Sequence, residues 1–81
     1  MDVKVTLKTT GRRNNKGEIY EVEFNGEVIA SGISPEFAAC RELKARGLTG
    51  TAYFHRPGQL THDMRMGIEW GAGRTVSETD R

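Results

Sequence analysis

Three short segments in the first part of the chain alternate between apolar and polar residues: 2–8, 18–24 and 27–31. A period of two places successive side chains on opposite sides of an extended backbone, so each segment predicts a β-strand with one buried face. Asn25-Gly26 separates the second segment from the third and favours the type I′ turn of a two-residue hairpin. The hairpin register should then pair Val22 with Ile29 on the buried face.

The apolar spacing changes to that of a helix between residues 34 and 48. The residues that form one apolar stripe at helical spacing are Phe37, Cys40 and Leu43. Ser34 is expected to cap this helix, with Pro35 at its first position. Gly47 is expected to end it in a Schellman motif, in which Leu48 packs back against Leu43.

The second half of the chain predicts two further strands, 51–55 and 64–70, joined by a loop that contains the turn dipeptide Pro57-Gly58. Together the segments predict an α+β fold. Its antiparallel sheet would have about five strands in the order β-β-β-α-β-β, with one helix packed on one face. Residues 1–72 should form this single domain, and the polar residues 73–81 a flexible C-terminal tail.

The same alternation divides the side chains between a buried core and an uncovered sheet face. The predicted core consists of Val3, Val5, Leu7, Tyr20, Val22, Phe24, Ile29, Phe37, Cys40, Leu43, Leu48, Phe54, Met66, Ile68 and Trp70. The predicted uncovered face carries Lys4, Thr6, Lys8, Glu21, Glu23, Val28, Tyr53, His55, Arg65 and Glu69. Because one helix covers only one side of a sheet, we expect the uncovered face to be the working surface.

Composition restricts the class of protein only loosely. The chain has 81 residues, of which 36% are hydrophobic and 28% charged, as in an ordinary globular domain. A single cysteine excludes an internal disulfide framework, and the first residues contain no apolar segment typical of a signal peptide. We therefore expect a cytoplasmic protein. The formal net charge of +1 indicates no particular partner.

Nucleic-acid binding is one hypothesis that the charges suggest. The segment 11–17 is expected to be a glycine-bounded loop, and its bases could hold phosphate groups. These bases are Arg12, Arg13 and Lys16. Tyr53 and His55 on the uncovered face could stack on nucleic-acid bases. Against this hypothesis, the adjacent strand is acidic, and the overall charge is lower than that of a dedicated binder.

A protein partner, or a second copy of the chain, is the hypothesis that we favour. Glu21, Glu23, Tyr53, His55 and Arg65 would form a mixed surface of acidic, basic and aromatic side chains. The first and last strands would offer free edges for strand addition. The sequence therefore predicts a small non-catalytic binding module, a protein-interaction or inhibitor-type protein that acts through its uncovered face.

Catalytic and metal chemistry find little support in the residue pattern. Cys40, His55, His62 and Asp63 match no zinc-ligand spacing. Cys40 lies on the buried stripe, where a thiol is unreactive. The paired carboxylates of Glu21 and Glu23 are what an alternating strand produces by default. We expect no enzyme, no metal, no cofactor, no membrane contact and no small-molecule substrate.

Two resemblances bear on these hypotheses. Across residues 11–50, a polar Arg-Arg loop, two hairpin strands and a helix entered through Gly-x-Ser-Pro-Glu resemble the DNA-binding domains of the AP2 and integrase arm-binding type in their order of elements. Those domains read DNA with basic and aromatic side chains on the sheet. The whole chain, especially residues 34–43 and 47–51, is similar to short uncharacterised proteins of proteobacterial chromosomes and prophages. That similarity implies no activity, and a phage setting would be compatible with inhibition of a host protein assembly.

Overall fold

The computed structural model describes residues 1–74, which form a five-stranded sheet and two helices. In chain order the elements are β1 (Asp2–Asn14), β2 (Gly17–Phe24), β3 (Glu27–Gly32), α1 (Glu36–Ala45), β4 (Thr51–His55), β5 (Met64–Gly67) and α2 (Ile68–Ala72). The α+β class is confirmed, whereas α2 was not predicted. Neither helix in residues 1–74 is long and apolar enough to cross a membrane. The predicted tail lies, from residue 75 onward, outside the described residues.

The sheet is mixed, so the prediction of a wholly antiparallel sheet is wrong. Its strand order is β3-β2-β1-β4-β5. Strand β1 pairs antiparallel with β2 but parallel with β4. Helix α1 carries the chain from the end of β3 back along the sheet, so β4 begins where β3 began and runs in the same direction as β1. As a result β1 is central, and β3 and β5 form the two edges.

The hairpin between β2 and β3 has the predicted turn and a different register. Asn25 and Gly26 have φ values of 52° and 82°, as a type I′ turn requires. Beyond the turn, however, Val22 pairs with Ala30, because Ile29 is the extra residue of a β-bulge. The predicted pairing of Val22 with Ile29 is therefore wrong.

The predicted basic loop 11–17 is mostly strand. Strand β1 continues to Asn14, and only the next two residues form the turn into β2. The Oδ1 atom of Asn14 accepts hydrogen bonds from the amides of Lys16, at 2.8 Å, and Gly17, at 3.2 Å. A bulge around Gly11, whose φ is 75°, interrupts the alternation of apolar and polar residues. For this reason the sequence pattern indicated a loop where the structure has a strand.

Helix α1 ends as expected but begins differently. Its N-cap residue is Pro35, and no side chain caps the first turn, so the predicted Ser34 cap is wrong. At the other end Gly47 has a φ of 85°. The Leu48 amide donates to the Leu43 carbonyl at 3.0 Å, which confirms the Schellman motif.

The core lies between the sheet and the two helices. Its fully buried hydrophobic residues are Val3, Val5, Val22, Ala39, Cys40, Leu43, Ala52, Phe54 and Ile68. All of these except Ala39 and Ala52 were predicted. Leu7, Phe24, Ile29, Leu48 and Met66 are partly buried and pack against this cluster. Trp70 was predicted in the core but is 57% exposed.

Helix α2 explains the position of Trp70. The segment 64–70 alternates like a strand, yet its last residues turn into a helix whose Ile68 and Gly71, three residues apart, are buried. Helical spacing then leaves Trp70 on the outer side. Because Gly71 has no Cβ, the backbone of α2 lies directly on α1: a Cβ there would be 2.7 Å from the sulfur of Cys40.

Candidate functional site

The open face is the side of the sheet that points away from the helices. It consists of Lys4, Thr6, Lys8, Glu21, Glu23, Val28, Ser31, Tyr53, His55 and Arg65, which alternate with inward-facing residues in the strand registers. The structure thus brings together nearly all of the residues predicted there. The exception is Glu69, which lies on α2 and forms an ion pair with Lys44 of α1 at 3.1 Å.

The strand registers align these side chains in rows across the sheet. One row joins Lys4 of β1, Tyr53 of β4 and Arg65 of β5. A second row joins Val28, Glu23, Thr6 and His55, on β3, β2, β1 and β4. Side chains that are directly opposite on neighbouring strands lie about 5 Å apart, so each row brings its members within reach of one ligand.

Bases of β1 neutralise both glutamates of β2 on this face. The Nζ atom of Lys8 lies 3.0 Å from Oε2 of Glu23, and Nη2 of Arg12 lies 4.0 Å from Oε2 of Glu21. The hydroxyl of Thr10 donates to a β2 carbonyl at 2.7 Å and accepts from the Arg12 amide at 3.1 Å. This side chain thereby fixes the bulge from which Arg12 reaches Glu21.

An aromatic cluster occupies the other half of the face. His62, from the loop between β4 and β5, lies edge-on to Tyr53 with ring centroids 4.8 Å apart, and 6.1 Å from His55. The Nδ1 atom of His55 is buried and has no hydrogen-bond partner within residues 1–74. The sequence pattern did not assign His62 to this face. The β4–β5 register extended by one step pairs His55 with Asp63, so strand alternation gives no signal that His62 contacts this face.

Two of the predicted basic residues lie far from this cluster. Arg13 pairs with Glu18 near the tip of the β1–β2 hairpin, and Lys16 lies in the turn itself. Tyr53 pairs with Lys4, near the opposite end of β1. At about 3.3 Å per residue of regular strand, and without the extra residues of the bulge, the separation along the strand is roughly 20 Å. The predicted site is therefore divided: Arg12 joins the open face, whereas Arg13 and Lys16 do not reach the aromatic residues.

The residues considered for metal binding or catalysis do not converge. Within the part of the chain that the structure describes, no group of three or more His, Cys, Asp and Glu residues could hold a metal ion. Asp63 pairs with Arg56, whose Nε lies 2.6 Å from its Oδ2. Cys40 is buried on the opposite side of the sheet. Burial, together with the nearby Glu36 carboxylate, raises the pKa of its thiol to about 11, which keeps it protonated at neutral pH.

Comparison with known proteins adds no family to this geometry, since no protein-family model, curated protein or solved structure matches the chain. The similarity to short proteobacterial and prophage proteins stays a prediction. Any function must therefore be argued from the surface itself.

Proposed function

We propose that this chain is a non-catalytic protein-binding module whose open face contacts a protein partner. The observation that carries the proposal is the charge pairing on β1 and β2. Lys8 and Arg12 are held by Glu23 and Glu21 on the same face. Where bases and acids are paired in this way, the surface offers directional polar contacts with little net charge, which suits a protein partner better than a polyanion.

Edge strand β3 supplies the apolar part of this surface. Val28 is 46% exposed, lies on the open face and pairs across the sheet with Glu23. Within residues 1–74 one backbone edge of this strand is unpaired, since β3 is the outermost strand of the sheet. An exposed apolar side chain beside unpaired backbone groups and oriented charges is what strand addition by a partner uses.

Nucleic-acid binding is the second candidate, and one observation favours it. The row of Lys4, Tyr53 and Arg65 places an aromatic ring between two bases. Stacking on the ring and phosphate contacts from the flanking bases would suit a single strand. The glutamates in the adjacent rows weigh against a continuous track for a phosphate backbone, because carboxylates repel phosphates.

The experiment that tests the proposal is an interaction screen with the full chain as bait, followed by calorimetry on each purified partner. The diagnostic variant is Val28→Lys, which replaces an apolar contact with a base beside Glu23. Ala45→Lys is the matched control, because it adds the same charge at an exposed position near the end of α1, where a base is favourable. We expect V28K to weaken partner binding by at least about tenfold and A45K to leave it nearly unchanged.

A parallel titration with labelled single-stranded and duplex DNA separates the two candidates. Phosphate binding would be strengthened by the base that V28K adds and would weaken steeply as salt rises. Salt-sensitive DNA binding that K4Q/R65Q abolishes would overturn the protein-binding proposal in favour of nucleic acid. A captured partner that binds wild type, V28K and A45K equally would also overturn it.

A further inference from the structure

An exposed aromatic platform lies on the other side of the molecule, on the helix layer. We define the helix-layer patch by four residues: Phe37, Arg41, Trp70 and Arg74. The ring of Trp70 lies 5.9 Å from that of Phe37, tilted by 56°. The guanidinium carbon of Arg74 lies 5.1 Å from the Trp70 ring centroid, in a cation–π contact. Trp70 is 57% exposed, so its ring is accessible to solvent beside these two contacts.

Two guanidinium groups flank the platform. The Nη2 atom of Arg41 donates to the carbonyl of Arg74 at 2.7 Å, and the other N–H donors of Arg41 have no partner within residues 1–74. Neither arginine forms an ion pair with a carboxylate in residues 1–74. By contrast Lys44, the next base on this side of α1, is paired with Glu69 at 3.1 Å. Among residues 1–74, Arg41 and Arg74 are therefore the basic side chains of the helix layer that no carboxylate pairs with.

We propose that the helix-layer patch is a second binding site, which takes a short acidic peptide segment of a partner protein. An apolar side chain of the segment would pack on Trp70 and Phe37, and neighbouring carboxylates would accept hydrogen bonds from Arg41 and Arg74. Tryptophan and arginine are the residues most enriched where binding energy concentrates, and arginine matches a carboxylate with two parallel hydrogen bonds. This inference is independent of the function proposed for the open face.

Charge complementarity selects this occupant over a nucleic acid. A phosphate backbone needs a continuous row of basic side chains. Here the row ends at Lys44, whose partner Glu69 would repel phosphate. Two arginines beside one apolar platform instead match a segment with one apolar residue and one or two carboxylates. A basic peptide would be repelled by the like charge of Arg41 and Arg74.

The single tryptophan of the chain makes the site directly measurable. The probe is a tryptophan-free peptide that alternates aspartate and leucine, titrated into the full chain while the emission of Trp70 is recorded. We expect a saturable change in emission that weakens as salt rises, because exposed ion pairs are screened. The same peptide with lysine in place of aspartate should produce no saturable change.

A charge-matched pair of variants decides between a specific site and overall charge. R41Q/R74Q removes two bases from the helix-layer patch, whereas K4Q/R65Q removes two bases from the open face. We expect the first variant to weaken peptide binding by at least about tenfold and the second by less than about twofold. Circular dichroism of each variant checks that it is folded.

Three outcomes would overturn this proposal: equal responses to the acidic and basic peptides, equal losses in the two variants, or a dimer in light scattering that Trp70→Ser dissociates. The last result would assign the patch to a second copy of the chain. None of these outcomes affects the result of the V28K experiment. A failure of the helix-layer proposal can therefore be distinguished from a failure of the open-face proposal.

Discussion

At the scale of single residues, Gly71 is the position where side-chain size decides how the two helices fit. A Cβ at this position would lie 2.7 Å from the sulfurs of both Cys40 and Met66, well inside van der Waals contact. Gly71→Ala should therefore push α2 away from α1. We expect a loss of about 1–3 kcal/mol in the free energy of unfolding, the usual cost of overfilling a packed interior.

Urea unfolding of Gly71→Ala beside Gly73→Ala measures this effect. Gly73 closes the same helix, but the nearest atom to a Cβ there is 3.5 Å away, an ordinary contact. Neither glycine has a positive φ, so the backbone strain of alanine is absent from both. Similar unfolding free energies for the two variants would contradict close packing at Gly71.

Individual residues also show how far the sequence could be interpreted. Gly47 and Asn25-Gly26 were placed correctly, because a positive φ is a local requirement that only a few residue types satisfy. Trp70 was misplaced, because its neighbours fit a period of two over a short segment. The competing helical pair of Ile68 and Gly71 includes a glycine, which carries no hydrophobic signal.

At the scale of elements, one side chain ties the helix to an edge strand. Arg46, at the end of α1, donates to both carboxylate oxygens of Glu27 on β3, at 3.2 Å and 2.7 Å. Its Nε also donates to Glu42 at 3.1 Å. The hydrogen bonds and positive charge of Arg46 lower the pKa of Glu27. This bidentate contact between Arg46 and Glu27 is the most specific polar contact between α1 and the sheet in residues 1–74.

This contact predicts a pH dependence of stability. A carboxyl whose pKa is lowered in the folded state stabilises the fold above its unfolded pKa, and that stabilisation is lost as the pH falls through the folded pKa. Glu27→Gln should therefore melt at a lower temperature than wild type at neutral pH, and the difference should shrink to nothing in acid. Thermal unfolding from neutral to strongly acidic pH measures it.

Glu69→Gln is the control for that experiment. Glu69 is also exposed, but it meets Lys44 through a single contact at 3.1 Å, the kind of surface pair that contributes little. We expect its melting difference from wild type to be smaller than that of Glu27→Gln at neutral pH. A difference for Glu27→Gln that persists unchanged in acid would contradict the role assigned to the Arg46 contact.

The elements themselves were largely predictable, whereas their arrangement was not. Alternation located the strands because each has one buried face. Alternation carries no information on the neighbour of a strand, so the parallel pairing of β1 with β4 was missed. A strand, a helix and a strand in succession indicate a crossover between parallel strands, and that signal was present in β3, α1 and β4. The two bulges displaced registers that tight turns alone would have set.

At the scale of the whole molecule, the sequence indicated the open face but not its charge balance. Each base and acid on that face except Arg12 was assigned to it from its position along the strand. Which ones pair depends on the strand order and on the bulge that turns Arg12 toward Glu21. The helix-layer patch had no sequence signal at all, because it requires α2 to fold back on α1. Surfaces built from distant segments are the part of a site that a linear pattern does not encode.

The two candidate surfaces lie on opposite layers of a molecule only 19 Å thick along its shortest axis, and they share no side chain. Sites that share no contacts normally contribute independently to binding and stability.

We therefore predict that the aspartate–leucine peptide raises the melting temperature of wild type and V28K by the same amount, and that R41Q/R74Q loses the increase in either background. At a peptide concentration about ten times Kd, the increase should be several degrees. Differential scanning calorimetry of the four proteins, with and without peptide, measures it. A substitution on β3 has no direct contact through which to weaken a peptide bound at Trp70. If V28K alone removed the peptide-induced rise in melting temperature, the independence of the two surfaces would be contradicted, and the sheet and the helix layer would have to be coupled.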